Sequence, residues 1–251
     1  KLNKVILLLL ATSLIFFVGC ENEDETTNEF EVLVEYLEGD DGGYMNNMGD
    51  WILAEGSINL EDYLVLDLRS AAVFDTTPNP IAGAVNTTLT DMWTHAEIAT
   101  KPILVTCYSG QTASFAHMLL RLKGFDAYVM KFGMSWHDES LDKWTVKCVD
   151  TYANDLVSTV SPALPSFDYP ELNTGETTGE SILDSRIDVA IEAWGTLLIS
   201  ASDVFSDPTV YNIINYWSEA DYLDHGHIYG AFQVTPATLT IGNNLSVFDP
   251  D

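Results

Sequence analysis

The feature that most constrains this chain is a rhythm of short apolar runs and helical stretches. YLVLDLRS (63–70), KPILVTC (101–107) and DAYVMKF (126–132) are apolar and rich in β-branched residues, the pattern of buried strands. QTASFAHMLLRLK (111–123) has helical spacing and a stop at Gly124. Neighbouring parallel strands need a crossover, which a helix supplies. The expectation is therefore an α/β fold, a parallel sheet flanked by helices. Strand-to-helix turns in such a sheet gather at one edge, where ligand crevices form.

The flanking segments extend this reading. FEVLVEYL (30–37) has helical spacing, and YMNNMGDWILAEG (44–56) reads as its continuation. IAGAVNTTL (81–89) is a second extended piece. TDMWTHAEIA (90–99) is a short helix capped by Thr90 or Asp91, and GMSWHDESLDKW (133–144) a turn with a short helix. Residues 150–181 are rich in Ser, Thr, Pro, Asn and Gly and read as a linker over the surface. The elements then restart: SRIDVAIEAWGTLL (185–198) is amphipathic, TVYNIINYW (209–217) strand-like, and DYLDHGHIYGAFQVTP (221–236) a turn and extended piece.

Composition restricts the function classes. Apolar residues make up 47% of the chain, enough for a core, so this is no disordered protein. Acidic residues number 38 against 10 basic, a formal charge of −28. That field repels nucleic acid and anionic lipid headgroups. At the N-terminus, Lys1 and Lys4 precede an apolar run, Val5 to Val18, too short to span a bilayer comfortably. It ends in Phe17-Val18-Gly19-Cys20 before an acidic stretch, which resembles the lipobox of bacterial lipoproteins. The resemblance implies a signal peptide over 1–19, lipid on Cys20 and an acidic tether over 20–28. The protein would sit in the cell envelope, held at the membrane through that lipid.

Export leaves Cys107 and Cys148, which can pair as a disulfide in an oxidising compartment or stay free. Cys107 stands in VTCYSGQTA, where a strand hands over to a helix. The thiolate is the reactive form of cysteine, and free N–H groups at a helix start favour the anion. Gly110 lets the loop curl so that successive N–H groups face inward. Thr112 can hydrogen-bond the first helical turn or the sulfur itself. A cysteine phosphatase of the Cys-x5-Arg type would need a cation where this chain has Ala113.

These residues resemble the rhodanese family. YLVLDLRSAAVFDTTPNPIAGAVN is similar to the first half of a rhodanese domain, CYSGQT to its six-residue active loop, and GFDAYVMKFGMSWHD to its closing strand and glycine–tryptophan turn. The resemblance implies a rhodanese-like parallel sheet flanked by helices, with a catalytic domain over 29–149. It also implies sulfurtransferase activity through a Cys107 persulfide. Tyr108, Ser109, Gly110, Gln111 and Thr112 form the loop that binds the donor or persulfide, supported by Asp67 and Arg69. The donor would be a small sulfur-containing anion or a persulfide, and the acceptor a thiol or cyanide. The chain differs from the family in one respect: many thiosulfate-using members carry a basic residue where Tyr108 stands. Arg69 and Lys131 are cations on neighbouring strand ends that can approach the loop, and the sequence alone does not place them. Asp67 and Arg69 read as a scaffold pair, and Trp136 as core or crevice wall. Cys148 is either incidental or a resolving thiol.

No cofactor is implied. The histidines, with His95, His117 and His137 read as surface or capping groups, lack metal-ligand spacing, so no metal is implied either. The rival class is a binding module of the same fold, whose loop recognises anions without turning them over. Residues 182–251 are similar to the start of a second copy. Their DYLDHGHIYGAFQVTP matches the family's Gly-His-Ile-(Pro)-Gly-Ala phrase, and Ile214-Asn215-Tyr216-Trp217 aligns with Leu66-Asp67-Leu68-Arg69 without the charged pair. The expectation is a partial or degenerate second rhodanese-like unit, in a tandem protein of which this chain is a fragment or whose second half is degenerate.

Overall fold

The structure, a computed structural model, describes residues 28–39, 50–76 and 81–250. The expected signal peptide, Cys20 and nearly all of the tether lie outside the described residues. Among the described residues no helix is long and apolar enough to cross a membrane.

Five strands form one parallel sheet: β1 (Ile52–Leu53), β2 (Leu64–Asp67), β3 (Val85–Asn86), β4 (Ile103–Thr106) and β5 (Ala127–Met130). Their spatial order is β1-β5-β4-β2-β3, so β4 is central. It is fully buried, as its unbroken apolar sequence requires. Side-chain alternation divides the core in two. Leu66, Ile103, Val105, Ala127 and Val129 face one layer; Val65, Leu104 and Met130 face the other.

The first layer is covered by α3 (Met92–Ala96) and α4 (Gln111–Leu122), which bury Met92, Ala96, Ala116, Leu119 and Leu120. Two more helices flank it: α1 (Glu29–Glu38), capped by Asn28, and α6 (Gly179–Ala193), which starts in a Thr178–Ser181 capping box. The second layer receives Met134 from α5 (Met134–His137) together with Ile81 and Leu141. The short α2 (Ala71–Phe74) follows β2 at the sheet's edge.

Three elements differ from expectation. WILAEG does not continue α1; Ile52 and Leu53 pair with Val129 and Met130 as the edge strand β1. The pairing is long-range, so local helical spacing could not disclose it. The α3 N-terminus is fixed neither by Thr90 nor by the Asp91 side chain as a cap. Thr88 Oγ1 accepts the Asp91 N–H instead, at 3.1 Å. The helix seen in SRIDVAIEAWGTLL starts at Gly179 and buries Leu183 and Ile187 in the first layer of the five-stranded sheet. A side chain at Gly179 would collide with Tyr36 of α1, so the residue permits the helices' close approach.

The C-terminal segment contains α7 (Ala201–Ser206), α8 (Glu219–Asp224) and a second parallel pair, β6 (Ile214–Asn215) with β7 (Phe232–Gln233). Its pairing register and several of its hydrogen bonds parallel those of β2 with β3. Leu66 pairs with Val85 and Asp67 with Asn86; Ile214 pairs with Phe232 and Asn215 with Gln233. Thr87 N–H donates to Asp67 O, as Val234 N–H does to Asn215 O. Asn86 Nδ2 donates to Arg69 O, as Gln233 Nε2 does to Trp217 O, both at 2.7 Å. Gly83 and Gly230 both hold left-handed φ, +77° and +80°. The segment before α6 lies along this unit: Val157 bridges His227, and Ser161 Oγ accepts the Gln233 N–H.

Candidate active site

The site is built where β4 ends and α4 begins. Gly110, at φ +93°, reverses the chain between the two elements, a conformation open to glycine without a Cβ penalty. The curl aims two backbone N–H groups at one atom. Gly110 N lies 3.2 Å from Cys107 Sγ and Ala113 N lies 3.4 Å away. Thr112 is not among the sulfur's donors, and no side chain caps α4. Ala113, notable in the sequence only for not being arginine, supplies the second donor through its backbone. Cys107 is 6% exposed and packs at the rim of the first layer. Its thiol and that of Cys148 are both free, so the pairing considered from sequence is not formed.

Beneath the loop, Asp67 and Arg69 form a buried pair at the end of β2. Arg69 donates from its N–H, Nε and Nη2 to the Asp67 carboxylate, the Nη2 contact being 2.6 Å. The guanidinium lies 5.8 Å from the centre of the Tyr108 ring, so a cation stands close to the loop where its own sequence carries none. Both side chains are essentially inaccessible to solvent.

A second turn clamps the loop from above. Met134 N–H donates to Cys107 O, while the Ser135 N–H and hydroxyl both donate to Tyr108 O, each at 2.8 Å. Gly133 makes this approach possible. A Cβ there would strike Cys107 O and lie 2.9 Å from Gly110 N, and its φ of +57° with ψ of −147° is glycine territory. The sequence showed Gly133 as part of a family phrase and gave no sign that its missing side chain makes room for the cysteine loop. Trp136, read as core or wall, is 59% exposed and tilts against Phe132 outside the core.

His117 is not a surface group. It is buried on α4 with its ring edge against Trp51, and Nε2 has no hydrogen-bond partner. Burial, reinforced by the Arg121 guanidinium, pushes its imidazole down to about 4; a backbone contact with Ala127 opposes the shift.

A cleft of about 590 Å³ opens beside the loop. Ser109, Gly110 and Gln111 contribute to its lining, as do Lys131, Lys143 and Lys147. Lys131, which the sequence left unplaced, lines this cleft, whereas the other two lysines carried no signal in the sequence.

The rhodanese-like domain family matches residues 53–139, the stretch from β1 to just past α5, so the chain carries a rhodanese-like domain. Similar solved structures include a rhodanese-related protein from Thermoplasma volcanium, at 22% identity, covering 35% of this chain and 90% of that one, with a TM-score of 0.30. A rhodanese homologue from Thermus thermophilus shares 24% identity over 34% of this chain and 98% of that one, TM-score 0.28. An NAD-dependent persulfide reductase from A. fulgidus shares 22% identity over 36% of this chain and 17% of its own, TM-score 0.29. No curated protein matches the chain.

Proposed function

We propose that the protein is a sulfurtransferase that carries sulfane sulfur on Cys107. The observation that supports this most is the convergence of the Gly110 and Ala113 amides on Sγ. Two preorganised donors stabilise negative charge on sulfur without reorganising during reaction. In the first half-reaction the Cys107 thiolate attacks the outer sulfur of a donor such as thiosulfate, a persulfide or a polysulfide. A new S–S bond forms to Sγ, the donor's S–S bond breaks, and its electron pair leaves with the departing group, sulfite in the case of thiosulfate. In the second, a thiol or cyanide attacks the outer sulfur of the Cys107 persulfide and the electron pair returns to Sγ. Tyr108 to Thr112 enclose the sulfur, while Asp67 and Arg69 hold the loop's base.

The reading places this activity in the domain over 29–149, followed by the 150–181 linker. The β6–β7 unit would be a partial second copy without catalysis of its own, in keeping with the register and hydrogen bonds it shares with β2–β3. Asn215 stands where the first copy has Asp67. A lipid on Cys20 would hold the protein in the cell envelope; loss of acyl labelling and of membrane association in Cys20→Ser tests that part.

The test of the activity is thiocyanate formation from cyanide, with thiosulfate, an organic persulfide and polysulfide supplied in turn. Product formation above the uncatalysed rate, abolished in Cys107→Ser, is expected. No product with any of the three donors would make the domain a binding module.

A further inference from the structure

Lys131, Lys143 and Lys147 line one cleft, three of only 10 basic residues in a chain with 38 acidic ones. No lining residue is acidic, and none of the three makes an ion pair with a carboxylate among the described residues. Lys131 Nζ lies 5.1 Å from the centre of the Phe132 ring and Lys143 Nζ 5.8 Å from that of Tyr108. Like charges gathered without counter-charges are a cost that a bound anion relieves. The cleft is also mostly apolar: Ile52, Val129, Phe132 and Trp144 contribute to its walls. Its 590 Å³ fits an organic ligand rather than a four- or five-atom anion.

Part of this site lies outside the stretch that matches the family. Lys143, Trp144, Lys147 and Cys148 follow the stretch matched by the rhodanese-like family, which ends at residue 139. Their turn is nevertheless fixed to the cysteine loop. Lys143 N–H donates to Ser135 Oγ at 2.8 Å, and that hydroxyl donates to Tyr108 O. Asp142 accepts the Trp144 and Thr145 N–H groups, and Cys148 N–H closes the turn on Trp144 O. The Asp142 carboxylate is thus engaged within the turn itself, by the Trp144 and Thr145 N–H groups and the Thr145 hydroxyl.

We propose that this cleft binds the sulfur acceptor, an organic thiol bearing two or more carboxylates on an apolar body, and that Lys143 and Lys147 determine that specificity. The assignment rests on the sulfur-transfer reading of Cys107. The acceptor's thiolate attacks the outer sulfur of the Cys107 persulfide and the S–S bond to Sγ breaks. The electron pair returns to Sγ, beneath the Gly110 and Ala113 amides, and the acceptor leaves as a persulfide; no other reagent is needed.

Two readouts on the full chain test this. The first needs no sulfur chemistry. Cys148 is exposed on the cleft wall, so a ligand there shields it from maleimide. Phenylsuccinate should slow Cys148 alkylation at least severalfold in the wild type and in Cys107→Ser. Its neutral diamide should not, and Lys143→Gln/Lys147→Gln should lose the protection. The second readout is turnover of preformed Cys107 persulfide by mercaptosuccinate against 2-mercaptoethanol. The ratio should favour mercaptosuccinate and fall about tenfold in the double variant, as two surface ion pairs allow. Equal protection by phenylsuccinate and its diamide would overturn the anion site. Protection with an unchanged turnover ratio would overturn the acceptor assignment and leave sulfur transfer standing. Protection with no turnover of either thiol would sink the sulfur-transfer reading and the acceptor role together.

Discussion

At the scale of the residue, the site depends on groups that do no chemistry. Asp67 holds buried Arg69 through its backbone N–H and two guanidinium nitrogens, Nε and Nη2, so Asp67→Asn removes a counter-charge from a cation with almost no access to water. Breaking a buried pair from one side costs about 3 kcal/mol. A denaturant midpoint well below wild type is expected, and an unchanged midpoint would show that the pair contributes nothing. His117 sets a different dependence. In the unfolded chain its imidazole takes up a proton near pH 6.5, whereas in the folded chain it stays neutral down to about 4. Its contribution to stability is thus fully present above pH 6.5 and is lost as pH falls through that window, where the unfolded state binds more protons. His117→Leu should lose less stability than wild type between pH 7 and pH 5, measured by urea denaturation at each; identical losses would contradict the assignment. Of these residues, Asp67 and Arg69 were legible because they lie two positions apart at a strand end. The burial of His117 was not, since its neighbour Trp51 comes from a distant part of the chain.

At the scale of the element, the strand-to-helix junction at Cys107 could be read directly because everything needed is local: an apolar β4, a glycine, and a helix pattern beginning at Gln111. The turn that clamps it could not, because its contacts join residues 107–110 to 132–135 across the sheet edge. Gly133→Ala tests the clamp. The added methyl meets Cys107 O, and the backbone sits where alanine is strained, a cost of about 2 kcal/mol. The expected result is a lowered unfolding midpoint together with loss of thiocyanate formation; full activity at wild-type stability would mean the loop does not need this approach. The helix α6 shows the same divide between pattern and placement. Its amphipathic spacing is evident in the sequence. That Leu183 and Ile187 complete the layer over the five-stranded sheet depends on α1 and α4, which no local window contains.

At the scale of the whole molecule, a charge of −28 and a lysine-lined cleft act in opposite directions on any anionic ligand. The global field slows its approach and the local cations retain it, so added salt should raise its association rate while weakening its hold. The parallel sheet and the return of a glycine–alanine phrase at 226–231 were legible in the sequence, whereas the spatial order of the strands and the cleft were not, because both depend on segments that meet only in the folded chain. All of this rests on sulfur at one position. The most direct measurement is mass spectrometry of the purified protein after brief exposure to polysulfide, with the modified peptide mapped. A gain of one sulfur atom on Cys107, released by a thiol acceptor and absent in Cys107→Ser, is the predicted result. An unmodified Cys107, or a sulfur adduct confined to Cys148, would contradict the account.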